Sequence, residues 1–196
     1  MPKIQAVLIQ GRYAAYGQMN WDTAKTWAGT LNVGAFSGWR APTQRPVNGT
    51  AVEYRYSNNG STDSGHAKTG IGWGTASEMG HLDCMGLGNK GICGPNDAAP
   101  SSSCVAQAGW GLSNTATFKN LQSDIYWSGL AYAPDVSGAW LFEAKTGFPG
   151  HGYLKSSAIF ALAVRPGDVA TVPEPQTLAL LLAGLATLLV KRRRSP

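Results

Sequence analysis

A segment near the start of the chain has the hydrophobic spacing of an amphipathic helix. Apolar residues recur there every three or four positions, which places them on one helix face: Trp21, Ala24, Ala28 and Leu31. Asn20 precedes them and suits an N-cap, because its side-chain oxygen can accept a hydrogen bond from the first helical turn. The pattern predicts a helix over residues 20–31, with Trp27 beside the apolar stripe.

The rest of the body reads as short elements between glycine- and proline-rich loops. A second short helix is predicted over residues 77–84, and strands over residues 38–43, 124–128, 138–143 and 157–165. Four tryptophans lie in these patterned segments and are expected in the core, where each can bury about 150 to 250 Å²: Trp21, Trp39, Trp127 and Trp140. About 170 residues suffice for one loop-rich α+β domain with a sizeable core.

The hydrophobic pattern changes at the C-terminus. Residues 177–190 are uninterrupted by charge, and seven of the fourteen are leucine. They predict a short transmembrane helix, which at about 1.5 Å per residue rises about 21 Å against a hydrocarbon core of about 30 Å. Four basic residues follow and favour a cytoplasmic C-terminus, which leaves residues 1–170 outside: Lys191, Arg192, Arg193 and Arg194.

A proline-rich segment stands directly before this helix: Val172, Pro173, Glu174 and Pro175. Together with the apolar run and the basic end, it closely resembles the PEP-CTERM sorting domain of Gram-negative bacteria, over residues 171–196. The resemblance implies that an exosortase is the partner, that the inner membrane holds the precursor transiently, and that cleavage releases it to the cell surface or extracellular matrix. The alternative is an uncleaved single-pass membrane anchor, for which Pro173 and Pro175 would be unnecessary.

The N-terminus lacks the signal that export requires. Residues 6–9 form an apolar patch shorter than the usual signal-peptide core of about 7 to 15 residues. We therefore expect the domain over residues 1–170 to be N-terminally truncated.

The body carries a second, weaker resemblance. Its motifs at residues 19–24, 38–43, 77–81, 126–128, 139–142 and 161–168 stand in the order seen in the C-terminal domain of a collagen-like bacterial adhesin. The resemblance implies a C-type-lectin-like α+β fold with a long, irregular middle region. This chain departs from that pattern, because we expect it to lack the strands that the family has before the position of Tyr16.

Three cysteines lie within 21 residues: Cys84, Cys93 and Cys104. In an exported chain they indicate one disulfide and one leftover thiol, and the sequence alone cannot assign the pairing. Cys93 with Cys104 is the preferred hypothesis, because that bridge would staple a Gly-, Pro- and Ser-rich segment. The alternative adds His81 to make a Cys3His zinc site, although the spacing matches no compact zinc module.

Charge and motifs argue against several functions. The net charge of +5 falls to +1 when the four basic tail residues are set aside, so we expect no nucleic-acid partner. No serine stands in a Gly-x-Ser-x-Gly elbow. Glycosidase pairs can be imagined, but solvated surface carboxylates are the commoner meaning: Glu78 with Asp83, or Asp135 with Glu143. We expect a protein that is not an enzyme and holds no cofactor or metal.

Two tryptophans in glycine-rich loops remain as possible ligand contacts, Trp73 and Trp110. Exposed aromatic faces can stack on sugar rings, although structural packing is the commoner use of tryptophan. The sequence thus predicts an exported surface or matrix protein with a non-catalytic interaction module, and exopolysaccharide is the first candidate ligand. A polysaccharide-acting enzyme is the alternative.

Overall fold

The computed structural model describes residues 4–7, 17–32, 36–66, 76–94, 104–115, 118 and 120–166. In chain order its elements are β1 (Ile4–Val7), β2 (Gln18–Met19), α1 (Trp21–Thr30), β3 (Tyr56–Ser57), β4 (Ser64–Gly65), α2 (Glu78–Gly80), a π-helical segment (His81–Gly86), β5 (Ile125–Ala131), β6 (Gly138–Glu143), β7 (Phe148–Leu154), β8 (Ile159–Phe160) and β9 (Ala163–Pro166). The predicted sorting motif, transmembrane helix and basic tail lie outside the described residues.

A five-stranded sheet in the order β2-β8-β5-β6-β7 forms the centre of the fold. β6 pairs antiparallel with β5 on one side and with β7 on the other. β8 lies parallel to β5, with Phe160 opposite Tyr126. Two smaller sheets accompany it, the antiparallel pair β1-β9 and the parallel pair β3-β4. The architecture is mixed α and β and is compatible with a single domain, as predicted.

Helix α1 packs on one face of this sheet. Trp21 donates its indole N–H to the Ser128 carbonyl at 2.8 Å, and Trp127 donates to the Met19 carbonyl at 2.8 Å. Asn20 caps α1 by accepting a hydrogen bond from the Thr23 backbone N–H at 2.9 Å. The predicted helix and cap are therefore confirmed. So are the four core tryptophans, each of which is at most 6% exposed.

The opposite face is covered by the long middle region. Its core joins the segment at α2 to the sheet and consists of Ala76, Met79, Tyr126, Phe142, Ala144, Leu162 and Val164. Within the described ranges, no helix combines the length and the apolar character needed to cross a membrane.

Several predicted element boundaries are wrong. Residues 148–150 were expected in a loop but begin β7, and Pro149 is tolerated there because β7 is an edge strand of its sheet. The strand predicted over residues 157–165 is split into β8 and β9, which belong to different sheets. Residues 38–43 contribute only an isolated bridge between Arg40 and Val164 instead of a strand, and a proline follows at position 42.

Two further elements differ from expectation. The second helix continues past Gly80 with π-helical geometry, in which the Leu87 N–H reaches the Leu82 carbonyl five residues back at 2.9 Å. Strands before Tyr16 were expected to be missing, but β1 lies there and pairs with β9.

Candidate functional site

The predicted site residues fall into two groups. Trp73, the sorting motif (Val172, Pro173, Glu174 and Pro175) and the basic flank (Lys191, Arg192, Arg193 and Arg194) lie outside the described residues. Trp110 and the three cysteines lie within them, and Trp110 is the centre of the candidate site.

A disulfide closes the base of the segment that carries Trp110. The structure joins Cys93 to Cys104 with a Cα–Cα separation of 5.4 Å, which is the pairing preferred from the sequence. Cys84 is left as a buried free thiol. The Cys3His zinc alternative is wrong, because two of its three sulfurs are bonded to each other and are not available as thiolate ligands.

The Trp110 loop, residues 104–114, is also held by backbone and side-chain hydrogen bonds. Isolated β-bridges pair Cys93 with Ala106 and Lys90 with Gly111. The Gln107 side-chain amide donates to the Gly91 carbonyl at 2.7 Å and to the Cys93 carbonyl at 2.9 Å. The disulfide, the bridges and this amide together fix the loop onto residues 90–93.

Asn89 anchors the far end of the loop. Its amide nitrogen donates to the Asp83 carboxylate at 2.8 Å and to the Asn114 carbonyl at 2.9 Å. Its amide oxygen accepts from the backbone N–H groups of Ser113 and Asn114, at 3.1 and 2.8 Å. One buried side chain therefore ties the π-helical segment to the end of the Trp110 loop.

Asp83 is an unusual partner for that network. It is buried, and burial raises the pKa of its carboxyl to about 6 despite the hydrogen bond from Asn89. Its second oxygen, Oδ2, has no hydrogen-bond partner among the residues that the structure describes. The neighbouring Cys84 is also buried, which raises the pKa of its thiol to about 12, with a further contribution from the Asp83 charge. A thiol with that pKa stays protonated and unreactive at neutral pH.

The loop presents Trp110 at the surface. Trp110 is 37% exposed, and Val105 on the same loop is 81% exposed. The two glycines that flank Trp110 adopt positive φ, +74° at Gly109 and +104° at Gly111, which sets the tight path of the backbone there. The loop thus presents an aromatic side chain on a backbone that the disulfide and the hydrogen bonds hold in place. It can offer an apolar ring face and an indole N–H, but no acid or base.

The carboxylates considered as glycosidase pairs have other partners. Glu78 accepts hydrogen bonds from Arg40 and from the Thr43 backbone N–H at 2.8 Å. Asp135 lies on an exposed turn and accepts from Ser137 at 2.7 Å, whereas Glu143 accepts from Thr146. Asp63 accepts from the backbone N–H groups of Val47 and Glu53, so it serves a loop structure.

An aromatic cluster beside the edge strand was not foreseen. Tyr132 and His151 stack with centroids 4.6 Å apart, and Tyr54 and Trp140 pack around them. One His151 ring nitrogen, Nε2, lies 3.0 Å from the Tyr54 carbonyl. The rings pack on each other and so fasten residue 54 to β7. No spacing in the sequence connects positions so far apart.

Comparison with known families matches one segment. Residues 171–194 match the PEP-CTERM protein-sorting motif, in agreement with the prediction from the proline, apolar and basic segments. Comparison with curated proteins and with solved structures finds no match. The resemblance of the body to a collagen-like adhesin domain therefore gains no support from these comparisons.

Proposed function

We propose that this chain is the precursor of a surface or extracellular-matrix protein that an exosortase cleaves at its Pro-Glu-Pro segment. The observation that carries the proposal is the sorting motif at residues 171–194. Before cleavage, the apolar run 177–190 holds the precursor in the inner membrane, and the basic residues 191–194 fix its cytoplasmic end. Cleavage separates the body from that helix.

The test compares wild type with Glu174→Ala by cell fractionation and intact mass in the native host. Gln176→Ala is the matched control, since it alters a polar residue beside the motif. The proposal expects the wild type and the control outside the inner membrane with a mass ending near residues 173–175, and the Glu174→Ala variant retained and full length. If all three remain membrane-bound with Pro196 intact, the segment is a plain anchor and the proposal is wrong.

For the body we propose a non-catalytic interaction module of C-type-lectin-like fold that binds exopolysaccharide. The support is the presentation of Trp110, a residue 37% exposed, on a loop that is closed by the Cys93–Cys104 disulfide. A binding loop whose backbone is already held loses less conformational entropy when a ligand docks. An indole face suits the apolar C–H face of a sugar ring, and its N–H suits a sugar hydroxyl.

Affinity electrophoresis in exopolysaccharide from the host tests this part. Trp110→Ala should abolish most of the retardation, whereas Val105→Ala, which truncates a more exposed apolar side chain of the same loop, should leave it unchanged. Equal retardation of both variants would remove Trp110 from the binding surface. Release of reducing ends from the polysaccharide by the wild type would show that the module is an enzyme after all.

A further inference from the structure

The segment that carries the Trp110 loop meets the turn between β6 and β7 at a close-packed junction. The turn consists of residues 144–147. The Ile92 N–H donates to the Thr146 carbonyl at 2.8 Å, and a Cβ added at Gly147 would lie 2.8 Å from the Gly91 Cα. Glycine at position 147 therefore lets the base of the loop lie directly on the turn.

Asp83 directs its free oxygen toward this junction. Asp83 is 4% exposed, and its Oδ2 lies 3.9 Å from the position of a Cβ added at Gly147. Its other oxygen, Oδ1, accepts from Asn89, which is 2% exposed and holds the backbone N–H groups of Ser113 and Asn114. One carboxyl group thus touches both the turn and the residue that anchors the far end of the loop.

Among the described residues, no charge compensates that of ionised Asp83. Six titratable side chains lie on or beside the segments around it: His66, His81, Cys84, Lys90, Glu143 and Lys145. Within the described part of the chain, none of them forms an ion pair or a hydrogen bond with the Asp83 carboxyl. Ionised Asp83 therefore depends on the one hydrogen bond from Asn89.

The two protonation states of Asp83 place different demands on the junction. In the neutral acid the proton resides on Oδ2, because Oδ1 accepts from Asn89. After ionisation a full negative charge lies in a buried site, which is costly where no cation pairs with it. Burial accordingly raises the pKa of Asp83 to about 6, and the hydrogen bond from Asn89 only partly offsets this. Opening of the junction would admit water to Oδ2 and relieve that cost.

We infer that Asp83 is a pH switch of the Trp110 loop: the neutral acid keeps the loop closed on the β6–β7 turn, and the carboxylate favours an open state in which water reaches Oδ2. The Cys93–Cys104 disulfide persists in both states, so opening affects the turn side and the Asn89 end of the loop. The switch is a property of the fold. Only its consequence, weaker saccharide binding by a less ordered loop at neutral pH, rests on the proposed function.

Linkage gives the size and the sign of the effect. The pKa of Asp83 is about 6 in the closed state, and we take the ordinary value of about 3.9 for the open state, where water reaches the carboxyl. The raised value means that the closed state is most favoured at low pH and loses this advantage as pH rises through about 6. The ratio of open to closed molecules should therefore increase on the order of 20-fold between pH 4.5 and 7.5.

Hydrogen exchange of the full-length protein in detergent tests the switch, with rates at pH 4.5 and 7.5 corrected for the intrinsic pH dependence of exchange. The reporting amides are those of Ile92, Ser113 and Asn114, which donate across the junction or to Asn89. The internal control is the Trp21 amide, which donates to the Lys155 carbonyl at 3.0 Å, beyond the opposite end of β6. The reporters should lose protection on the order of 20-fold at the higher pH, and the control should change less than about twofold.

Asp83→Asn keeps an acceptor for Asn89 and cannot ionise, so its reporting amides should show equal corrected rates at both pH values. Asp124→Asn is the matched control, because Asp124 is exposed, and it should respond as the wild type does. A pH response that Asp83→Asn retains would overturn the switch.

The wild-type comparison decides by itself if Asp83→Asn does not fold. Equal loss of protection at the reporters and at Trp21 would mean that the whole domain is destabilised, and it would overturn the switch, as would unchanged reporters. The measurement needs no polysaccharide. A protein that binds no saccharide but shows the local response would therefore overturn the proposed function and leave the switch standing.

Discussion

Arg40 and Glu78 form a bidentate ion pair, in which both terminal guanidinium nitrogens donate to the carboxylate at 2.6 Å. Arg40 also pairs through its backbone with Val164 of β9, at 2.9 and 2.8 Å. The hydrogen bonds to Glu78 raise the pKa of Arg40. Burial alone would raise the pKa of Glu78, but the hydrogen bonds from Arg40 and Thr43 outweigh it and hold that pKa below its usual value.

Replacement of Arg40 by alanine should therefore destabilise the protein. It leaves the largely buried Glu78 carboxylate without its cation, and we expect a loss of about 2 kcal/mol in the free energy of unfolding, measured by urea denaturation. Because the pKa of Glu78 is lowered on folding, the ion pair stabilises the folded protein at pH values above the unfolded-state pKa of Glu78. This stabilisation is lost as pH falls through the folded-state pKa of Glu78. The penalty of Arg40→Ala should shrink accordingly below about pH 4.

Arg55→Ala is the control for this change. Arg55 pairs with Glu53 at 3.3 Å, but its side chain is 79% exposed, and such surface pairs contribute about 0 to 1 kcal/mol. Equal losses in the two variants would show that burial of Glu78 does not strengthen the Arg40 pair.

Asp83 should make stability depend on pH in the opposite direction to an ordinary ion-paired carboxylate. Its folded-state pKa of about 6 lies above the unfolded value, so folding favours the neutral form of this carboxyl. The stability that results is fully present below about pH 4 and is lost as pH rises through about 6. The decrease should be on the order of 2 to 3 kcal/mol. Asp83→Asn keeps the acceptor for Asn89, and it should remove most of this decrease.

Thermal unfolding at pH 4, 5, 6 and 7 measures the effect, with Asp124→Asn as the control, since Asp124 is exposed. A pH dependence of Asp83→Asn that parallels that of the wild type across this window would contradict the assignment to Asp83.

The disulfide should stabilise the body as well as order the Trp110 loop. Cys93 and Cys104 are 11 positions apart, and closure of a loop of that length contributes about 3 kcal/mol in the chain-entropy account. The test compares the double variant Cys93→Ala/Cys104→Ala with the protein that keeps the bridge. Both proteins also carry Cys84→Ala, which prevents wrong pairing. Urea midpoints that coincide would mean that the hydrogen bonds of Gln107 and Asn89 suffice to hold the loop.

Gly65 of β4 lies in close backbone contact with Ser57 of β3. It adopts φ +128°, and an added Cβ would lie 1.9 Å from the Ser57 carbonyl oxygen. Gly65→Ala should therefore cost about 3 kcal/mol or more, because strain and overlap act together. Gly88→Ala separates the two effects, since Gly88 has φ +72° with no atom within 4 Å of the added Cβ. It should cost about 1 kcal/mol in the same melting experiment.

Elements with strong local signals were predictable from the sequence. Helix α1 follows from its apolar spacing and the Asn20 side chain, and β6 has the predicted bounds, residues 138–143. β7 was missed because Pro149 and Gly150 are turn residues in most contexts. Pro149 can stand in β7 because the sheet ends there, and a single sequence does not show which strand is at the edge.

The candidate sites divide in the same way. The Cys93–Cys104 disulfide could be predicted from the sequence, because that bridge closes a Gly-, Pro- and Ser-rich segment. The burial of Asp83 could not, because it depends on Asn89 and on residues 113 and 114, which the fold brings back from 24 or more positions along the chain. A carboxylate next to a cysteine carries no local sign of such burial.

The tryptophan hydrogen bonds under helix α1 set the order in which this protein can fold. Trp21 reaches Ser128 across 107 positions, and Trp127 reaches Met19 across 108. The first strand of the central sheet also pairs with Ile159 and Phe160. During synthesis or transport, α1 therefore has no sheet to pack on until the last third of the body has emerged. An N-terminal fragment would stay unfolded until then, and the rate-limiting event would be a late closure between the two ends of the domain.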